Sequence, residues 1–139
     1  NPIDILGDAE PLRYAKSLEI ASRDENSNGI LVILTPQDMT DPTQTAECLT
    51  PYAQIKHKPV LASWMGGASV KAGEQILNRF DIPTFPYPDA AVKMFNYMWQ
   101  YNENLKALYE TPLNQPESAD SAPDRALVQK IVDTSRKEG

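Results

Sequence analysis

The chain predicts an α/β fold with an open parallel sheet, and three observations carry that reading. Two apolar runs, Ile30–Leu34 and Val60–Trp64, each pass directly into a polar or glycine-containing loop. Each loop is followed by a stretch in which apolar residues recur at helical spacing. Strands that alternate with helices at this spacing pair in parallel, because a parallel connection needs a crossover long enough to hold a helix. In open α/β sheets ligands bind outside the carboxyl ends of the strands, so function is sought at Thr35–Thr43 and Met65–Ser69.

The elements follow in order. Pro2–Ile5 reads as extended, since proline biases its neighbour away from the helical region, and Gly7 with Asp8 supplies a turn. Asp8 is the expected cap of a first helix, with Pro11 close behind and an end near Asp24–Asn28, where turn formers cluster. Ile30–Leu34 is five aliphatic residues without alternation, which predicts a central strand covered on both faces. Asp41 and Pro42 form a helix start, the carboxylate accepting from unpaired amides and the proline fitting the first helical position; the helix is expected to reach about Lys56. Val60–Trp64 is a second strand that begins after Lys58 and Pro59. Met65–Ser69 turns the chain, Ser69 is the expected cap of a helix carrying Val70, Ile76, Leu77 and Phe80, and Ile82–Phe85 is a short third strand. From Asp89 to about Tyr109 the apolar spacing is again helical.

Residues 1–110 therefore read as one domain. Residues 111–124 contain three prolines and a single large aliphatic residue, a composition unable to bury enough surface to fold, and read as a linker. Residues 125–139 resume a helical pattern and read as the start of a following domain. Asn1 opens onto an Asn-Pro element without an initiating methionine, so the chain is read as cut from a longer polypeptide.

Composition narrows the function classes. The 139 residues are 41% hydrophobic with a formal charge of −6, and Lys and Arg are scattered, which argues against a nucleic-acid backbone as partner. No apolar run approaches the roughly 20 residues that cross a bilayer, and the N-terminus lacks a signal-peptide pattern, so a cytoplasmic location without membrane contact is expected. Cys48 is the one cysteine and His57 the one histidine, so there is no soft-ligand cluster for a metal and no intrachain disulfide. No serine sits in a Gly-x-Ser-x-Gly elbow and no glycine-rich loop ends in Gly-Lys-Ser or Gly-Lys-Thr, which removes two common nucleophile and phosphate signatures.

Several segments taken together carry a family resemblance. Asn1-Pro2-Ile3-Asp4-Ile5-Leu6-Gly7-Asp8-Ala9, Arg13-Tyr14, Leu31–Gln37 with Thr40–Thr43, Lys58–Ala62 and Met65-Gly66-Gly67 resemble, in this order, the NDP-forming acyl-CoA synthetases (ADP-forming acetate–CoA ligases), relatives of succinyl-CoA synthetase. The likeness covers roughly Asn1–Tyr109. It implies a three-layer flavodoxin-like CoA-ligase domain, truncated at its N-terminus, with 125–139 opening an ATP-grasp domain. It also implies an acid-thiol ligase that interconverts acyl-CoA, ADP and phosphate with acid, CoA and ATP through acyl phosphate and a phosphohistidine. The fragment itself would bind no cofactor and would not turn over; CoA, ATP or ADP and magnesium belong to the parent enzyme, whose other domains or subunits would be its partners. An alternative from a different class is a regulatory acyl-CoA-binding module, of similar architecture, fused to a GNAT-type protein lysine acetyltransferase.

No catalytic residue is expected within the chain. Thr35, Gln37, Asp38, Met39 and Thr40 are candidate ligands of a small carboxylic acid or its acyl phosphate, since the matching loop of succinyl-CoA synthetase contacts the substrate carboxylate; an ordinary strand-to-helix connection is the other reading. Asp41, as a cap, would occupy the amides an anion needs, which moves the expected contact to Gln37–Thr40. Gly66 and Gly67 either let backbone approach a ligand or supply a positive φ for the turn. Asn1 and Asp4 either reach the neighbouring loops or make a local turn. His57 is expected to be a solvated loop residue rather than the phosphorylated histidine, because it lies before Lys58-Pro59 at the amino end of a strand. Phe95, Tyr97, Trp99 and Tyr101 are expected to serve core and interface, with some rings exposed where another domain would pack.

Overall fold

The computed structural model describes residues 2–55, 58–110 and 124–138. The calls on Asn1, His57 and residues 111–123 lie outside them. In chain order the elements are α1 (Pro11–Ser22), β1 (Ile30–Leu34), α2 (Pro42–Leu49), β2 (Val60–Trp64), α3 (Lys71–Arg79), β3 (Thr84–Phe85), α4 (Pro88–Tyr109) and α5 (Arg125–Glu138). The chain divides into two compact units, residues 1–103 with the sheet and residues 104–139 with the end of α4 and α5. In the second unit Asp124 caps α5, its carboxylate accepting from the Leu127 amide at 3.0 Å.

The strands are parallel in the order β1-β2-β3, with Ile30 opposite Val60, Leu34 opposite Trp64 and Ser63 opposite Phe85. An order that steps in one direction through right-handed crossovers puts both connecting helices on the same face. On that face Leu34, Val60, Ala62 and Trp64 pack with Tyr14 and Leu18 of α1, Ala46 and Leu49 of α2, and Leu77 of α3. Each large side chain buried there contributes about 1.5–3 kcal/mol. Helices α2 and α3 come close because Gly73 has no side chain: a Cβ there would lie 2.7 Å from the Pro42 carbonyl oxygen and 2.8 Å from Trp64 Nε1. Lys58 ties β2 to the end of α1, its ammonium donating to the carbonyl oxygens of Ser22 and Asp24, a favourable place for a cation at a helix C-terminus.

The opposite face carries Leu31, Ile33, Leu61, Ser63 and Phe85 by strand alternation. Among the described residues of the first unit α4 lies on it, with Ala91 buried and Phe95 over Gly29. Between α4 and the strands is an apolar cavity of about 140 Å³ lined by Leu31, Leu61, Ala91, Val92 and Phe95. The expectation that Ile30–Leu34 is covered on both faces is therefore corrected. β1 is an edge strand, and Ile33 is 46% exposed. The unbroken aliphatic run reports a strand that is apolar on two faces, and nothing in these residues supplies cover for the second.

Local signals fared unevenly. Asp41 caps α2, accepting from Thr43 and Gln44 amides at 2.9 Å each. Asp8 does not cap α1; Glu10 occupies that position without a side-chain bond, and Asp8 pairs with Arg13 at 3.8 Å. Helix α2 stops at Leu49, short of Lys56, because Pro51 lacks the amide an α-helix needs and the chain tightens into a 3-10 turn, Thr50–Tyr52. Ser69 caps nothing; its hydroxyl donates to the Gly66 carbonyl at 2.9 Å inside a second 3-10 turn, Gly67–Val70, that precedes α3.

Candidate functional site

The carboxyl ends of β1 and β2 are fixed side by side. The Met65 amide donates to the Leu34 carbonyl at 2.9 Å, so the loops leaving the two strands start in register. Gly66 then passes against Pro36: a Cβ on Gly66 would lie 2.9 Å from Pro36 Cγ and 2.7 Å from Val70 Cγ1. Gly67 has φ +59° and open space around its Cα, so its glycine serves the turn, whereas that of Gly66 serves close packing of the two loops.

Within the first loop the Thr40 amide donates to the Gln37 carbonyl at 2.9 Å and the Gln37 amide donates to Thr40 Oγ1 at 3.2 Å. This reciprocal pair closes a compact turn that holds Gln37, Asp38 and Met39 out from the sheet edge; all three are exposed, Met39 at 84%. Thr35 is exposed at the strand end. Because the Asp41 carboxylate already takes the first free amides of α2, the groups left to meet a ligand are those of Gln37–Thr40.

A third segment joins these two. Thr40 Oγ1 donates to the Gly7 carbonyl at 3.4 Å, and the terminal amide of Gln37 lies across the Gly7 Cα. Asp4 takes the local role, its carboxylate accepting from the Leu6 amide at 2.9 Å, and Leu6 sits at φ +74° in the turn this creates. Gly7 was missed as a site neighbour because a turn glycine carries no sign of what passes over it; its signal was the Gly-Asp pair in the first segment of the resemblance. The cluster offers amide and hydroxyl donors and the carboxylates of Asp4, Asp38 and Asp41. It can hold and orient a small polar ligand, and it contains no nucleophile activated by a neighbouring base.

No family model matches the chain. It is 39% identical over 103 residues to the ADP-forming acetate–CoA ligase I of Archaeoglobus fulgidus, covering 74% of this chain and 14% of that protein. It is 40% identical over 106 residues to the ADP-forming acetate–CoA ligase of Methanocaldococcus jannaschii, covering 73% and 15%. The chain is a relative of the ADP-forming acyl-CoA synthetases. A solved dinucleotide-forming acetyl-coenzyme A synthetase 1 of Ca. Korarchaeum cryptofilum, in complex with phosphate and ADP, superposes with a TM-score of 0.58 at 27% identity over 63% of this chain and 19% of that one. The synthetase fold is thus shared by the sheet-bearing part, and the chain spans about a seventh of the length of the two curated relatives. No helix among the described residues is long and apolar enough to cross a membrane.

Proposed function

We propose that the chain is part of an ADP-forming acyl-CoA synthetase that converts acyl-CoA, ADP and phosphate to acid, CoA and ATP through acyl phosphate and a phosphohistidine. Its own share is to line the acid or acyl-phosphate pocket with Thr35, Gln37, Asp38, Met39, Thr40, Gly66 and Gly67. The observation that carries this reading is the junction of the two strand-end loops, Pro36 against Gly66, at the edge where this architecture binds ligands. A carboxylate or phosphoryl oxygen there would accept from the Gln37 side-chain amide and from free backbone N–H groups. In this reading magnesium and the nucleotide are held by other parts of the enzyme. In this reading the isolated chain does not turn over, because the other parts of the reaction lie in the rest of the enzyme. We place the start of an ATP-grasp domain at residues 125–139, after a linker at 111–124.

Two surfaces support packing against other parts of such an enzyme. One is the free edge of β1 with Ile33 beside it. The other is α4, where Met94, Met98, Tyr101, Leu105 and Leu108 recur at alternating spacings of four and three. Asp89, Lys93, Glu103 and Lys106 fall on the remaining side of that helix, while Tyr101 is 69% and Leu108 80% exposed.

The test is made in the complete synthetase. Gln37→Ala is expected to weaken acid use by about 1–3 kcal/mol, the range for a lost hydrogen bond to a charged group, with nucleotide KM unchanged. His57→Ala is expected to leave phosphoenzyme formation intact. Labelled phosphate absent from the His57 variant, or acid use untouched in the Gln37 variant, would overturn the corresponding part of the assignment.

A further inference from the structure

We infer that Gly7 is a positioning residue for Gln37, which rests on the reading of the Gln37 loop as the acid pocket and deepens it. The terminal amide of Gln37 occupies the space where a side chain on residue 7 would begin. A Cβ on Gly7 would lie 2.3 Å from Gln37 Nε2, 3.0 Å from Cδ and 3.4 Å from Oε1. Gly7 is not among the residues with a left-handed φ, so alanine's backbone is tolerated and the only obstacle is the far end of a flexible side chain. Gly7→Ala therefore moves the Gln37 amide without straining the turn.

Gly7 also reaches Gln37 from the other side. Its carbonyl accepts from Thr40 Oγ1, and Thr40 Oγ1 in turn accepts from the Gln37 backbone amide. The wall is rigid: Asp4 Oδ1 holds the Leu6 amide, the Leu6 carbonyl accepts from the Ala9 amide at 3.3 Å, and the Ile5 carbonyl accepts from the Arg13 guanidinium at 3.3 Å. A glutamine on an exposed loop ordinarily samples several rotamers. Here a fixed backbone turn closes off one side, so the amide is presented to the ligand with part of its freedom already lost, which favours binding. The Asp4–Gly7 turn thereby acts on the acid without touching it.

The experiment compares Gly7→Ala, Gln37→Ala and the double variant of the complete synthetase, with acetate as the acid. Gly7→Ala is expected to raise the acetate KM about fivefold, the scale of one hydrogen bond, with nucleotide KM and melting temperature unchanged. The double variant is expected to be no worse than Gln37→Ala, because Gly7 acts only through that amide. Independent, multiplying effects, or a silent Gly7→Ala beside an impaired Gln37→Ala, would overturn the inference and leave the pocket reading standing. A silent Gln37→Ala would overturn the pocket reading and the inference with it. Where Gly7→Ala lowers the melting temperature, adding Gln37→Asn shortens the amide away from the new methyl and is expected to restore melting; failure to do so would show that the turn itself, and not Gln37, needs the glycine.

Discussion

The two faces of one three-stranded sheet differ in how far they are finished. On the α1–α3 face Leu34 and Ala62 have no exposed surface, Trp64 is 1% exposed, and the indole N–H has a carbonyl partner in Pro42. On the α4 face Ile33 is 46% exposed, a cavity remains under Phe95, and the buried Ser63 hydroxyl has no hydrogen-bond partner among the described residues. Strand composition does not account for the contrast, since β1 is equally aliphatic on both sides. What differs is cover. The first face is stabilised by sequence-adjacent crossover helices, which the chain supplies itself; the second is met, among the described residues of the sheet-bearing unit, by α4, a helix in which Ala91 is the buried residue. A region that is apolar and uncovered is where a packing partner has most to gain.

The sharpest way to break this comparison is to put a charge on each face of the same strand. Leu34→Asp is expected to abolish cooperative folding, because an unpaired carboxylate in a fully buried position costs several kcal/mol, comparable to the whole stability of a small domain. Ile33→Asp, one residue away, is expected to cost less than about 1 kcal/mol in this chain, since the carboxylate reaches water. Urea unfolding followed by circular dichroism distinguishes them. Equal destabilisation would show that the α4 face is closed in solution.

A smaller contrast comes from two glycines under helices. Gly73→Ala drives a methyl into the Pro42 carbonyl, which is backbone and cannot yield without parting α2 from α3, so a loss of about 1–3 kcal/mol is expected. Gly29→Ala meets only the Phe95 ring, 2.4 Å from the new Cβ, and that ring borders a cavity of about 140 Å³ into which it can turn. The expected cost is below about 1 kcal/mol. A larger loss at Gly29 than at Gly73 would reverse the ranking of the two faces.

These differences mark how far the sequence could be read. Strand positions, their parallel pairing and the Asp41 cap were legible, because each rests on neighbouring residues: an apolar run, a proline that sets φ, a carboxylate two and three residues before the amides it accepts from. The place of the candidate loops at one sheet edge was legible for the same reason. The uncovered face was not, since an aliphatic run reports what a strand needs and not what the rest of the chain provides. Nor was the approach of Gly7 to Gln37, a contact across thirty residues of sequence that leaves no local trace. Asp8 and Ser69 misled because a capping residue type near a helix start is only permissive; the chain used Asp8 for Arg13 and Ser69 for the Gly66 carbonyl.

Ser63 gives the smallest effect, and its sign reports on the α4 face. Its hydroxyl is buried and unpartnered, so in this chain it carries the desolvation penalty of a hydroxyl without the hydrogen bond that would offset it. Ser63→Ala removes the penalty and keeps nearly the same volume, and is expected to be neutral or to stabilise this chain by up to about 1 kcal/mol. Urea unfolding of the two forms reads the sign. Destabilisation by Ser63→Ala of about 0.5–1.5 kcal/mol, the net worth of one hydrogen bond, would mean that the hydroxyl finds a partner in solution.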